Sequence, residues 1–193
     1  MNYNENKKKK LNEKKYPECC NQNCFILGPT DPTEPQGNIG PTGATGATGA
    51  AGGILNYANF YALMPPDNAA TVAPGTDVSF PQDGPHSGSD ISRTSASTFN
   101  LAQIGTYLVL FQVSISEAGQ LVLTLNGVDL EYTVVGRATG TDQIIGLTIV
   151  TTTAINSILT VRNPAGNAAA LTITPNAGGT RPVSAHLVIT QIQ

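Results

Sequence analysis

The chain has 193 residues, a formal net charge of −3 and only 12% charged residues. All six lysines lie between Lys7 and Lys15, so residues 1–36 carry a net charge of +1 and the remainder −4. That split excludes a uniformly basic nucleic-acid surface, and no run approaches the roughly 20 apolar residues that cross a bilayer as a helix.

Residues 1–36 contain Asn, Lys, Glu and Pro around one apolar island, Phe25-Ile26-Leu27. Such a composition buries too little apolar surface to fold alone and predicts a disordered arm. The run Lys7–Lys10 lacks interleaved arginine or aromatic groups, so it reads as a solvated tail that contacts neither nucleic acid nor membrane. Asn4–Glu18 is polar throughout, without an apolar signal core, which predicts synthesis in the cytoplasm without a signal peptide. Three cysteines, Cys19, Cys20 and Cys24, fall within six residues of this arm. An odd count points to pairing between chains. Free thiols and a metal site are the alternatives, though a structural zinc wants four ligands. Pro29, Pro32 and Pro35 then suggest a polyproline-like approach to the next segment.

Residues 37–53 place glycine at every third position: Gly37, Gly40, Gly43, Gly46, Gly49 and Gly52. The triplets are Gly-Asn-Ile, Gly-Pro-Thr, Gly-Ala-Thr twice, and Gly-Ala-Ala. Three polyproline-type chains wind together only if every third residue lacks a side chain, so this spacing predicts a collagen-like stalk of three chains, about 45 Å long. A flexible Gly/Ala/Thr linker is the plain alternative. Thr42, Thr45 and Thr48 take the third position of their triplets, pointing away from the axis.

Residues 54–193 show no helical period. Short β-branched and aromatic runs alternate with turn residues every eight to twelve positions, which predicts an all-β sandwich or jelly roll of eight to ten strands. The expected strands are 59–63, 77–80, 98–101, 105–116, 120–125, 128–135, 143–152, 157–162, 169–174 and 184–191. Tyr107, Val109, Phe111, Val113 and Ile115 alternate with Gln112 and Ser114, the mark of a central core strand. Asn126-Gly127 between two apolar runs predicts a hairpin turn. His86 and His186 have no nucleophile or carboxylate at motif spacing, and no P-loop, GxSxG or HExxH string occurs; catalytic, cofactor and metal residues are therefore all expected to be absent. Asp129, Glu131 and Asp142 sit beside turns with no calcium-loop spacing.

These segments resemble the BclA-like family of collagen-like exosporium filament glycoproteins of bacterial spores. Ile26-Leu27-Gly28-Pro29-Thr30 looks like the family's N-terminal targeting motif, although Asp31 and Glu34 follow where the motif is apolar. The Gly-Pro-Thr and Gly-Ala-Thr triplets look like its collagen region, here much shorter. Residues 104–111 and 186–192 look like the core and closing strands of its tumour necrosis factor-like head. The cysteine cluster is more similar to the connector of pilus-like endospore appendages, in which paired cysteines couple subunits. The resemblance implies a homotrimeric jelly-roll head, a collagen-like stalk with O-linked sugars on Thr42, Thr45 and Thr48, and an arm that attaches to a basal protein of the spore surface or appendage. It also implies a structural filament, not an enzyme. The competing function class is a trimeric adhesion module recognising a surface ligand or glycan through exposed loop aromatics, for which Tyr57, Tyr61 and Tyr132 are the candidates.

Overall fold

The computed structural model describes residues 33, 36–43, 53–64, 67, 71–173 and 178–193. The chain divides into two compact units, Met1–Ala47 and Thr48–Gln193. In the first unit, residues 36–43 are exposed and belong to no helix or strand.

The second unit is nearly all β. Among the described residues it has thirteen strands: β1 Asn56–Met64, β2 Thr71–Val72, β3 Gln82–His86, β4 Ile91–Arg93, β5 Phe99–Leu101, β6 Thr106–Ile115, β7 Gly119–Leu125, β8 Val128–Asp129, β9 Val135–Arg137, β10 Asp142–Thr151, β11 Ser157–Arg162, β12 Leu171–Thr172 and β13 Val183–Gln191. Eight to ten were expected; the excess consists of pieces two or three residues long. One sheet runs β10-β6-β13-β1-β3, and a second runs β4-β5-β11-β7-β8 with β9 also on β7. A two-stranded piece, β12-β2, completes the sandwich.

The predicted core strand is β6, at the heart of the first sheet. Tyr107, Val109, Phe111, Val113 and Ile115 all point inward and are fully buried. They join one core with Phe99 and Leu101 of β5, Leu121 and Leu123 of β7, and Leu159 and Val161 of β11. Each such side chain contributes roughly 1.5–3 kcal/mol of burial free energy. Phe99 is the aromatic hub, 4.6 Å from the Phe60 ring and 6.1 Å from the Phe80 ring. The Tyr107 hydroxyl stays satisfied by donating to the Gln103 carbonyl at 2.7 Å, while burial pushes its pKa up.

The Asn126-Gly127 turn forms as expected, with φ of 52° and 83°, the left-handed pair that a two-residue primed turn requires. Asn126 Oδ1 pins it by accepting the Ile158 amide at 2.8 Å. The return strand, however, stops at Asp129. A 3-10 turn, Glu131–Thr133, interrupts the expected 128–135 strand, because Thr133 Oγ1 accepts the Leu123 amide at 2.9 Å and donates to the Leu130 carbonyl at 2.7 Å. The expected strand at 77–80 is likewise reduced to a bridge between Asp77 and Arg162, held by their ion pair at 2.8 Å. Among the described residues of the stretch 169–174, only Leu171–Thr172 is strand, with Ile173 in a bridge to Ile115.

Two contacts make measurable demands. A Cβ on Gly146 of β10 would lie 2.4 Å from the buried Phe111 ring. Gly146→Ala should therefore cost about 1–3 kcal/mol, read as a lower urea midpoint with unchanged slope. Arg93 and Asp83 join the two sheet edges through bonds of 2.8 and 2.7 Å, and the hydrogen bond from Arg93 lowers the Asp83 pKa. The stabilisation is thus present above the unfolded carboxylate range near pH ~3.9 and is lost as pH falls through the lower folded value. The Asp83 side chain is 52% exposed, so the effect is small. Asp83→Asn should flatten that part of the acid-unfolding curve measured between pH 5 and 2.

Candidate assembly face

The chemistry-bearing surface of the described head is the outer face of the β10-β6-β13-β1-β3 sheet. Strand alternation sends every second residue outward, and the ladder registers align them in rows. Ile145, Gln112, His186 and Tyr61 form one row across β10, β6, β13 and β1. Leu147, Leu110, Val188 and Asn59 form the next, and Ile149, Leu108, Thr190 and Tyr57 the third. None of these twelve residues is Asp, Glu, Lys or Arg. The half nearest β10 is aliphatic, and the half nearest β1 carries aromatic and polar groups.

The aliphatic half is open to solvent. Ile145, Leu147 and Ile149 are 54%, 63% and 51% exposed, although they sit mid-strand on a ten-residue edge strand. A long, exposed, apolar edge attracts other chains unless something covers it. On its backbone, the Tyr132 hydroxyl donates to the Ile149 carbonyl at 3.2 Å. The inward residues Ile144 and Val150 are buried, so β10 is apolar on both faces, the pattern of a strand covered twice.

The polar half is knitted together. Ser184 Oγ lies 2.9 Å from His186 Nε2, and the Tyr61 ring is tilted 35° against the imidazole at 6.3 Å. Tyr57 and Tyr61, which the adhesion alternative would need on loops, are strand residues of β1; the pleat, not a loop, sets their direction. Tyr132 lies in the 3-10 turn and is 66% exposed.

The head has a jelly-roll fold of the tumour necrosis factor and C1q type. It is similar to Eiger TNF from S. frugiperda, with TM-score 0.53 and 14% identity over 71% of this chain and 92% of that one. It is also similar to the globular domain of zebrafish complement 1qA, with TM-score 0.50 and 12% identity over 70% and 95%. Murine APRIL at pH 5.0 gives TM-score 0.50 and 15% identity over 70% and 98%. At these identities the likeness is one of fold. No family model and no curated protein matches the chain.

The other residues singled out from sequence fall apart from this face. Cys19, Cys20, Cys24, the element Ile26–Thr30, Gly46, Gly49, Gly52, Thr45 and Thr48 lie outside the described residues. Gly37, Gly40, Thr42 and Gly43 are described and exposed. A Cβ added at any of these three glycines would meet no atom of its own chain within 4 Å, and none has a left-handed φ. His86 lies on β3, its Nδ1 3.2 Å from the Gly84 carbonyl. Asp129 and Asp142, read as merely solvated, lie 3.8 and 3.3 Å from Arg162 and Arg137. Sequence reading missed those arginine pairs, since the partners are 33 and five positions apart with no local pattern joining them. It placed Ile145, Leu147 and Ile149 on a strand but not on an exposed edge; the run 144–150, apolar except for Gly146 and Thr148, signalled only a strand apolar on both faces.

A charge introduced at Leu147 tests what the face does. Leu147→Asp should leave the far-UV circular dichroism of the head intact, because this side chain is largely exposed in one copy, and should abolish self-association in sedimentation velocity.

Proposed function

We propose that the chain is a structural, self-assembling homotrimer forming a short-stalked filament of a bacterial spore surface, either an exosporium hair or an appendage tip. The observation that carries the trimer is the pairing of an uncovered aliphatic edge in the head with a glycine period in the stalk. Glycine at 37, 40 and 43 answers to nothing inside a single chain, by space or by backbone angle. Three chains wound about a common axis supply the crowding that only glycine accepts.

A head-to-tail contact between the unlike halves forms a ring where its rotation closes and an open filament where it does not; three chains gathered in one stalk close it at three. In the proposed trimer, the β10 edge of each head packs on the sheet face of the next. Each contact would bury on the order of 1,000 Å² or more, as a permanent oligomer needs. Gathering three chain starts at one place raises their effective concentration and helps a stalk of five triplets to wind.

The arm of residues 1–36 serves as the anchor. Cys19, Cys20 and Cys24 form disulfides to a basal protein or a neighbouring subunit, Ile26-Leu27-Gly28-Pro29-Thr30 directs placement, and Thr42, Thr45 and Thr48 carry O-linked sugars. The role requires no catalytic step. Made in the mother cell, the protein reaches the surface when that cell lyses.

Native mass measurement of the intact protein, before and after reduction, tests the proposal. The reduced protein should weigh close to three chains, with any excess mass reporting sugars; a species of one chain at micromolar concentration refutes the trimer. Gly43→Val should lower the stalk melting temperature while the head transition stays in place.

A further inference from the structure

Buried polar groups in a folded protein are nearly always paired. Among the described residues two side chains break that rule, Asn59 through a neutral oxygen and Arg137 through two nitrogens of a cation, Nε and Nη1. The second is the costlier breach, because a desolvated charge needs acceptors more than a neutral group does. Arg137 closes β9, and its side chain is only 15% exposed. Arg93 and Arg162 show the satisfied arrangement, each giving Nε to an aspartate at 2.8 Å. Arg137 has less. Its Nη2 donates to the Thr139 carbonyl two positions on, and Nη1 lies 3.3 Å from Asp142 Oδ2 without forming a hydrogen bond. The Asp142 side chain is 71% exposed, so this pair contributes little.

The guanidinium borders a cavity of about 250 Å³. Leu171 of β12 and the methyl groups of Ala118 and Ala168 give it apolar walls, Gln120 of β7 and Asn167 add amides, and Arg137 is its one charged lining residue among those described. Asn167 is fixed in place, its Nδ2 donating to the Gln120 carbonyl at 3.3 Å and to Asn163 Oδ1 at 2.6 Å. We propose that this cavity binds a small organic carboxylate with a short apolar body, held through Arg137. Donors on a cation take a carboxylate in preference to a neutral acceptor, and the methyl-lined walls take the apolar remainder. The volume lies just below that of clefts for drug-sized ligands, which limits the body to a few carbons. Inorganic phosphate would press most of its oxygens against methyl groups and lose its hydration there. None of the lining residues named belongs to the three rows of the assembly face, so the site is independent of the trimer.

Two carboxylates of the head stand near Arg137. Asp142 is its present partner, and the ligand takes that place. Releasing Asp142 to water costs little, since most of it is already there, whereas the ligand meets the guanidinium in a partly desolvated wall, where the attraction is stronger. Arg137 turns its Nε and Nη1 toward the cavity as it does so. Glu117 precedes Ala118, and its Oε1 accepts the Thr172 amide; it is occupied, but its charge opposes an anion. No further charged residue occurs in β7, β9, β12 or the stretch 163–170. That opposition and the small contact area set the dissociation constant on the order of 1 mM.

The test titrates the full chain with sodium butyrate at constant ionic strength, against sodium chloride and against butyramide, which has the same shape without the charge. The Nε–H resonances of the four arginines, seen in arginine-labelled protein, are the readout. Butyrate should move the Arg137 resonance saturably with a midpoint on the order of 1 mM, and chloride and butyramide should not. Asp142→Asn should tighten butyrate about two- to fivefold by removing the competing carboxylate. Ala168→Leu, at an exposed position, should fill the cavity and weaken butyrate about tenfold with Arg137 still in place. Arg137→Gln should abolish binding, and Arg181→Gln, on an exposed loop, should leave it unchanged. N-acetylalanine separates the sources of the carboxylate, binding more tightly than butyrate if the natural ligand is a peptide end and more weakly if it is a free acid. Equal binding of butyramide overturns the carboxylate. A butyrate response no larger than that of chloride, one shared equally by Arg181, or an affinity unmoved by both Asp142→Asn and Ala168→Leu overturns the site and leaves the trimer standing.

Discussion

The sheet β10-β6-β13-β1-β3 carries apolar side chains on both faces, and one copy of the chain covers only the inner one. Phe111, Val109 and Leu187 are sealed by the opposing sheet, whereas Leu147 and Ile149 on the other side meet solvent. Apolar area left in water is free energy not gained, at roughly 25 cal/mol per Å². A second burial is the natural completion of such a sheet. The placement of polar groups agrees with that constraint: the described head keeps its ion pairs at sheet edges and loops, and none on the outer rows.

Those ion pairs have a distinct task. Arg93 with Asp83 ties β3 to β4 across the two layers. Arg162 with Asp77 straps an irregular segment beside β11, where Thr160 also donates to Asp77 at 2.9 Å. The Thr124 and Thr160 hydroxyls, 2.8 Å apart, remain satisfied inside the same network. Irregular backbone is stabilised here by local bonding together with the burial of Val78 and Phe80, and its buried polar groups are paired.

How much of this was legible in the sequence depended on whether a feature was local. The alternation from Tyr107 to Ile115 and the Asn126-Gly127 pair specify a core strand and a turn through their own periodicity and backbone preferences. The short strands do not. Gln82–His86 contains glycine and proline, and becomes a strand only because Asn59 lies against Gly84, within 3 Å of where a Cβ would sit, and a bulge absorbs the misfit. Val128–Val135 has the composition of a strand and is broken by one hydroxyl, that of Thr133. The face itself was hidden for a different reason: which side of β10 looks outward, and that β10 is an edge at all, follows from strand order, which no window of the chain encodes. The glycine period is the opposite case: it is plain in the sequence, yet at Gly37, Gly40 and Gly43 a Cβ would meet nothing within 4 Å in one copy of the chain.

The position of β1 has a mechanical consequence. The chain enters the head at Asn56, and β1 is then flanked by β13 along nine paired residues and by β3 on its other side. Tension applied at Asn56 along the axis of β1 would load those bonds in parallel, by shear, instead of peeling them one at a time. A tether attached this way resists force by raising the barrier to unfolding, which governs the rate of forced rupture.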